Sequence, residues 1–449
     1  MIAPSNYSLL DQSADVVIIG AGLSGLCCAK RLIEAGVRCR ILEASDDVGG
    51  RIRSESVDGF TLDRGFQVFL TAYPEAQRVL DYDALDLHAF EPGALIRYQG
   101  KFHRFVDPWR RPRWAAESML SPIGSLSDKV RIGRLRRQLM HSELSTIYRR
   151  PEKTTLNALR ELGFSLRVID RFFRPFLSGV FLETDLCTSS RMFEFVFKMF
   201  AEGEAALPAG GMAQVPRQLA ASLPPGTIDF GQRVVSIDEG GVTLLGGERI
   251  SAKATVVAVE RGAAARLTKA IPLREDTGSL CIYFAAPKTP VVEPMLVLNG
   301  DGEGPVNNLC VPSQVAADYA PPDRSLISVS VLQDVAGAAV DVVDDVLKQC
   351  HEWFGGQVHE WRHLKTYWIA HAKPVLIPPA LDPVEKPIRL SPGVYVCGDH
   401  RETASMNGAM RSGRRAAEAY LADTAEDHPL AYLPSASDST SELHADSVW

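Results

Sequence analysis

Val16-Val17-Ile18-Ile19 is an apolar, mostly β-branched run with no polar position to mark a wet face, which predicts a strand buried on both sides of a parallel sheet. From Leu23 the apolar positions take helical spacing, with Ala29 and Ala35 keeping the helix slim and Gly36 stopping it; residues 37–42 read as the next strand. From 73 to about 204 the pattern is helical. Ser127 is placed to cap a helix that has Ile132, Leu135 and Leu139 on one face and Arg131, Arg134 and Arg137 elsewhere. Thr155 starts another, with Leu156, Leu159 and Leu162 turned inward and Gly163 at its end. Met192, Phe193, Val196, Met199 and Phe200 form an apolar stripe that suits either a core or the wall of a channel for a long apolar molecule. Residues 233–237, 255–259, 279–284, 325–332 and 393–397 read as strands. A last helix opens near Ser405, with Ala409, Met410, Gly413, Ala416, Ala417, Tyr420 and Leu421 on one narrow face. Residues 424–449 have the composition of a disordered tail.

Strands alternating with helices give an α/β fold, and 449 residues exceed what one core usually sustains, so two domains are expected. A net charge of -7 gives no footing for a nucleic-acid partner. The eight cysteines are scattered without a C-x-x-C pair, which fits reduced cytosol and disfavours a zinc ribbon or disulfide scaffold. The first residues lack the pattern of a signal peptide, and the longest apolar stretch is too short to span a bilayer. His351, His359 and His363 lie close in sequence, but no acid or cysteine at ligand spacing completes a metal site.

Gly20, Gly22 and Gly25 break the first strand pattern in G-x-G-x-x-G spacing, with Leu23 and Ser24 between them. The first glycine permits a tight turn, the second lets backbone approach a pyrophosphate, and the third lets helix and strand pack closely. Phosphates would rest on the helix N-terminus, where unpaired N–H groups favour anions. Glu43 ends the next strand about 20 residues on, where an acid hydrogen-bonds an adenosine ribose. The expectation is a dinucleotide site.

The segments that follow carry a resemblance. Ala44-Ser45-Asp46-Asp47-Val48-Gly49-Gly50-Arg51 is similar to the stretch after the ribose-binding acid in flavoproteins of the amine oxidase, protoporphyrinogen oxidase and phytoene desaturase superfamily. Leu62-Asp63-Arg64-Gly65-Phe66-Gln67-Val68 resembles the motif that passes their flavin ring. Residues 207–212 resemble the return to their FAD domain, Val234 stands where relatives set a backbone valine against the adenine, and 367–374 resembles the aromatic segment ahead of the last flavin motif. Cys397-Gly398-Asp399, followed by Ser405, Met406 and Ala409, is similar to that last motif. Its wording, Ala404-Ser405-Met406-Asn407-Gly408-Ala409, is closest to plant-type carotenoid desaturases, apart from Asn407 where they commonly carry an acid.

The resemblance implies a Rossmann-like FAD-binding domain of the GR2 type, discontinuous over 1–75, 205–268 and 385–423, and a second domain of mixed sheet and helices over 76–204 and 269–384 that takes the substrate. It implies FAD held by Gly20, Gly22, Leu23, Ser24, Gly25, Glu43, Ala44, Gly49, Gly50, Arg51, Gly65, Phe66, Gln67, Val234, Gly398, Asp399, Ser405, Met406 and Ala409. The activity implied is dehydrogenation of an apolar, isoprenoid- or carotenoid-like molecule by hydride transfer to flavin N5, with oxygen or a quinone taking the electrons. Oxidation of an amine to an imine is the alternative, and an FAD-bound protein without turnover a third. His371, His400 and Arg401 are near the ring in sequence, yet spacing orients none of them, so no catalytic acid or base is assigned. The arginine and aromatic residues of 102–105 and 109–114 suit peripheral contact with a membrane surface.

Overall fold

The computed structural model describes residues 14–332 and 342–427. Its first sheet has five parallel strands in the spatial order Ile228–Asp229, Cys39–Leu42, Ala14–Ile19, Arg249–Val257 and Val394–Val396. Val16 and Ile18 point to one face, into a core shared with Leu26, Cys27 and Met410 from the helices Leu23–Glu34 and Met406–Asp427. Val17 and Ile19 point to the other, against Val242 and Leu244 of an antiparallel hairpin and Ala264 of the helix Arg261–Thr268. Both faces are covered, which is why the strand shows no polar alternation.

A second sheet of seven strands runs Arg362–Pro374, Asp276–Ala286, Ser325–Val331, Val306–Cys310, Leu296–Asn299, Gly93–Tyr98 and Lys101–Val106. All its pairings are antiparallel except that of Leu296–Asn299 with Gly93–Tyr98. The helices Leu126–Met140 and Ser190–Glu202 pack against each other.

Several sequence expectations need correction. The stretch from 73 is not wholly helical: the hairpin Gly93–Tyr98 and Lys101–Val106 extends the second sheet. Phe102 is therefore not available to a membrane, because it stacks on Phe354 at 5.4 Å between centroids. Ser125, not Ser127, caps the arginine-rich helix: its hydroxyl accepts from the Asp128 amide at 3.1 Å while Asp128 accepts from the Ser125 amide at 2.9 Å, a reciprocal box. The next helix does start at Thr155, with Thr154 as its cap, but Leu162, expected inward, stands 38% exposed because the helix ends at Glu161. The last helix continues to Asp427, into the stretch expected to be disordered, and residues 428–449 lie outside those described.

Candidate functional site: a cavity between two sheets

The carboxyl ends of the parallel strands and the N-termini of two helices open onto a cavity of about 1820 Å³. That is well above the roughly 300–1,000 Å³ of a pocket for one small ligand. It has room for a dinucleotide and a second molecule.

At its inner floor Gly20 turns the chain at φ +104°, donating its amide to Leu42 O. A Cβ on Gly25 would lie 2.0 Å from Gly20 O, so glycine there sets how closely helix and strand approach. A Cβ on Gly22, by contrast, would meet nothing within 4 Å. Space above Gly22 is left open to the cavity, and no side chain caps the helix Leu23–Glu34 behind it. An uncapped helix start with Gly22, Leu23 and Ser24 on the cavity wall offers backbone donors and a positive dipole end to an anion.

Glu43 lines the same floor. Its Oε2 accepts from the Ala21 amide at 2.8 Å and its Oε1 from the Ser45 amide at 2.9 Å, which fixes the carboxylate while leaving lone pairs for hydroxyl donors. Gly49 pairs with Gly22 and donates to Ala21 O at 2.9 Å; Gly49 and Gly50 both have positive φ. Arg51 then bridges remote parts of the chain. Its guanidinium meets Asp399 Oδ1 at 2.7 Å and donates to Ala372 O, on the second sheet, at 2.9 Å. Burial pushes the Asp399 carboxyl up, but Arg51 outweighs this and holds it below the usual carboxylate range. Asp399 is thus a buried anion, neutralised by a cation from the opposite end of the sequence.

Gly65, at φ +92°, with Phe66 and Gln67, forms a side wall, where Gln67 Nε2 donates to Arg51 O at 3.1 Å. On the other side are Gly398, Asp399, Ser405, Met406 and Ala409. Ser405 Oγ accepts from the Gly408 amide at 3.0 Å, capping the final helix, and Gly398 donates to Ser412 Oγ at 2.8 Å. Beyond Phe66 the cavity becomes apolar and aromatic, between Phe90, Phe172, Phe176, Val196 and Ile369. Of the Met and Phe stripe, Met192, Val196 and Phe200 line the cavity while Phe193 and Met199 lie in the core.

Three expected cofactor residues do not line the cavity. Gly25 acts from beneath the turn, Ala44 lies beside Glu43, and Val234 packs its side chain against the cluster of Val17 and Leu42. His371 is an exposed residue 3.4 Å from Asp276, and Arg401 donates to Pro387 O at 3.1 Å. His400 is buried behind Gly398 with both ring nitrogens unpartnered, and burial pushes its pKa down to about 4. The rings of His351 and His359 meet at 4.7 Å between centroids, tilted by 43°, and no group able to hold a metal ion occurs among the described residues. Lys373, in the stretch 367–374, carries no motif of its own; it lines the inner arm, and burial pushes its amine down to about 8.

A model of the family described as flavin containing amine oxidoreductase matches residues 23–421. The 15-cis-phytoene desaturase of Narcissus pseudonarcissus is 39% identical over 97 residues, 21% of this chain and 15% of that protein. The putrescine oxidase of Kocuria rosea is 51% identical over 53 residues, 12% of this chain and 11% of its own. These matches thus span a small part of the relatives' lengths. An oxidoreductase from Methanosarcina mazei has the same fold, with a TM-score of 0.69 at 19% identity, covering 90% of this chain and 99% of its own. The cradle of glycines, Glu43 and the Arg51–Asp399 pair fits FAD, and the protein belongs to the flavin containing amine oxidoreductase family.

Proposed function

We propose that the protein dehydrogenates an apolar, isoprenoid-like molecule, desaturating or isomerising it, and passes the electrons to oxygen or a quinone. One observation carries this: the arm of the cavity beyond the cofactor cradle is walled by Phe66, Phe90, Phe172, Phe176, Val196 and Ile369. Bound FAD supplies the two-electron acceptor. Glycines 20, 22, 49 and 50 and the first turn of the helix Leu23–Glu34 would hold its pyrophosphate, Glu43 its ribose, and Arg51 with Asp399 its linker. The start of the helix Met406–Asp427 favours negative charge beside the ring. The aromatic arm orients the substrate and keeps water from the reacting carbons. We assign the cofactor to residues 1–75, 205–268 and 385–423, and the substrate to 76–204 and 269–384.

Anaerobic reduction of the FAD-loaded protein tests the reading. Bleaching of the flavin by phytoene in vesicles, with slow reoxidation in air that a quinone speeds, is the expected result. Bleaching by putrescine or another amine and not by phytoene would overturn it in favour of an amine oxidase, the reading that the putrescine oxidase match supports.

The same reading extends to where the substrate comes from. Of fifteen large hydrophobic side chains that stand exposed among the described residues, six fall between 109 and 140: Trp109, Met119, Leu120, Leu126, Val130 and Met140. Four of them, Trp109, Met119, Val130 and Met140, also line the outer cavity. Residues 107–141 carry eight basic side chains against the acids Asp107, Glu117 and Asp128, in a chain of net charge -7. An apolar rim with basic side chains suits peripheral contact with an anionic bilayer. No helix of the described residues is long and apolar enough to cross one. Sedimentation with phosphatidylserine vesicles, falling as salt rises, is expected; absence of binding at low salt would end this part of the proposal.

A further inference from the structure

We propose that Lys373 accepts the proton released in the dehydrogenation and that a small side pocket behind it carries that proton to solvent. The inference rests on the dehydrogenase reading above. Making a double bond between two saturated carbons removes one hydrogen with its electron pair, to the flavin, while the electrons of the neighbouring C–H bond close the new bond. The remaining proton must find a base, and the aromatic walls offer none.

Lys373 lines the cavity close to the Arg51–Asp399 pair of the cofactor cradle. It lies near the end of the strand Arg362–Pro374, next to Ala372, whose carbonyl accepts from Arg51. It lines the inner arm of the large cavity and, with Met192, also lines a second pocket of about 170 Å³. One residue therefore borders both spaces. Its Nζ donates to Val180 O at 2.9 Å, which fixes the amine and leaves a lone pair for a proton when the group is neutral. Burial lowers its pKa to about 8; Asp399 opposes the shift and Arg51 adds to it. A sizeable neutral fraction is then present near neutral pH, as a general base requires. Lys129, another lysine on the large cavity, sits at the outer rim with its amine bound to Met119 O and Ser121 O, both at 2.7 Å.

The far side of the side pocket is acidic. Glu183, Asp185 and Cys187 follow the helix Arg174–Phe181 and line it, with Thr188 and Thr277. Glu183 Oε1 accepts from the Thr188 amide at 3.0 Å, while its Oε2 is buried without a partner. The carboxylate residue Glu183 thus shares a pocket with the amine of Lys373, and water in that pocket would relay a proton between them. The other charged groups nearby are committed or outside. Asp276, on the adjacent strand, is paired with Arg261 at 2.6 Å, and His371, two residues back, is exposed on the surface.

Two readouts test the proposal on the FAD-loaded protein. Competitive acetylation of Lys373 across pH, read by mass spectrometry, should titrate near 8, and Glu183→Gln with equal FAD content should slow phytoene-driven flavin reduction about tenfold. A midpoint above 10 overturns the base, and reduction in Glu183→Gln as fast as wild type overturns the exit route. In the second, Lys373→Met and Lys373→Arg, with FAD content equal to wild type, should slow flavin reduction by phytoene by about 10²–10⁴-fold. The pH dependence of the residual rate should vanish. Reduction as fast as wild type in either variant overturns the role. Should phytoene leave the wild-type flavin oxidised, the substrate reading fails, and the acetylation midpoint still decides for or against Lys373.

Discussion

Replacing Gly413 by alanine should separate two helices that carry opposite ends of the cofactor site. Gly413 faces the opening helix so closely that an added Cβ would lie 2.0 Å from Ser24 O, 2.9 Å from Ser24 C and 3.0 Å from Ser24 Cα. These are backbone atoms, so no rotamer change relieves the clash. Ordinary contact begins at 3.4 Å, and one helix must retreat by more than 1 Å. The neighbouring Ser412 Oγ accepts from the buried Gly398 amide at 2.8 Å and would be drawn away from it. Overpacking costs about 1–3 kcal/mol, and a weakened buried hydrogen bond about 1 kcal/mol more. Removing a helical glycine returns about 1 kcal/mol. The net loss is about 1–3 kcal/mol of stability, and since Ser24, Gly398, Met406 and Ala409 all line the cavity, FAD affinity should fall with it. Thermal unfolding with and without added FAD, together with FAD retention on a desalting column, measures both. Gly246→Ala is the control, because a Cβ there meets nothing within 4 Å. Gly413→Ala indistinguishable from that control in both assays would refute the reasoning.

Glu43→Ala removes the fixed carboxylate of the cradle and should weaken FAD binding by about ten- to a hundredfold, equivalent to about 1.5–3 kcal/mol; an unchanged dissociation constant by fluorescence titration takes Glu43 out of the site. Asp63 is buried among Ser54, the Met212 amide and Tyr319 OH, and burial raises its pKa to about 6. The folded protein therefore holds this proton more tightly than the unfolded chain, so the group's stabilisation is complete below pH 4 and is lost as pH rises through 6. Asp63→Asn should gain on wild type by about 3 kcal/mol between pH 4 and 7, measured by urea unfolding; a difference that does not move with pH contradicts the assignment. Ser125→Ala should cost about 1 kcal/mol by opening the capping box, whereas Ser127→Ala should be neutral; equal effects would restore Ser127 as the cap.

The middle of the first sheet was readable in the chain because Val16–Ile19 is β-branched, ended by Gly20 and dry on both faces, whereas Ile228–Asp229 is too short to carry a pattern and the strand Arg249–Val257 begins six residues ahead of the apolar stretch at 255–259. The capping box was readable too, since Ser125 and Asp128 have the required spacing, but Ser127 stands nearer the apolar run and competes for the role. The hairpin through Lys101–Val106 was hidden for a different reason. Phe102 and Phe105 are covered by Phe354 and Phe172, which belong to elements far away in sequence, so local alternation says little about their burial. Lys373 was equally hidden. Its depressed basicity comes from burial beside Val180, Arg51 and Asp399, and no window of sequence around residue 373 contains them. In the cradle, glycine spacing located the floor, but the partners that orient Glu43 appear only once Ala21 and Ser45 are folded beside it.

Arg51 touches Asp399 and Ala372, more than three hundred residues downstream, and this has a consequence for biosynthesis. A nascent chain emerging from the ribosome can build its first βαβ unit early, yet the basic half of the clasp has no acidic counterpart until nearly everything has been translated. Flavin capture should therefore be a late, post-translational event, and premature termination anywhere before the final strand should yield a polypeptide that cannot retain it.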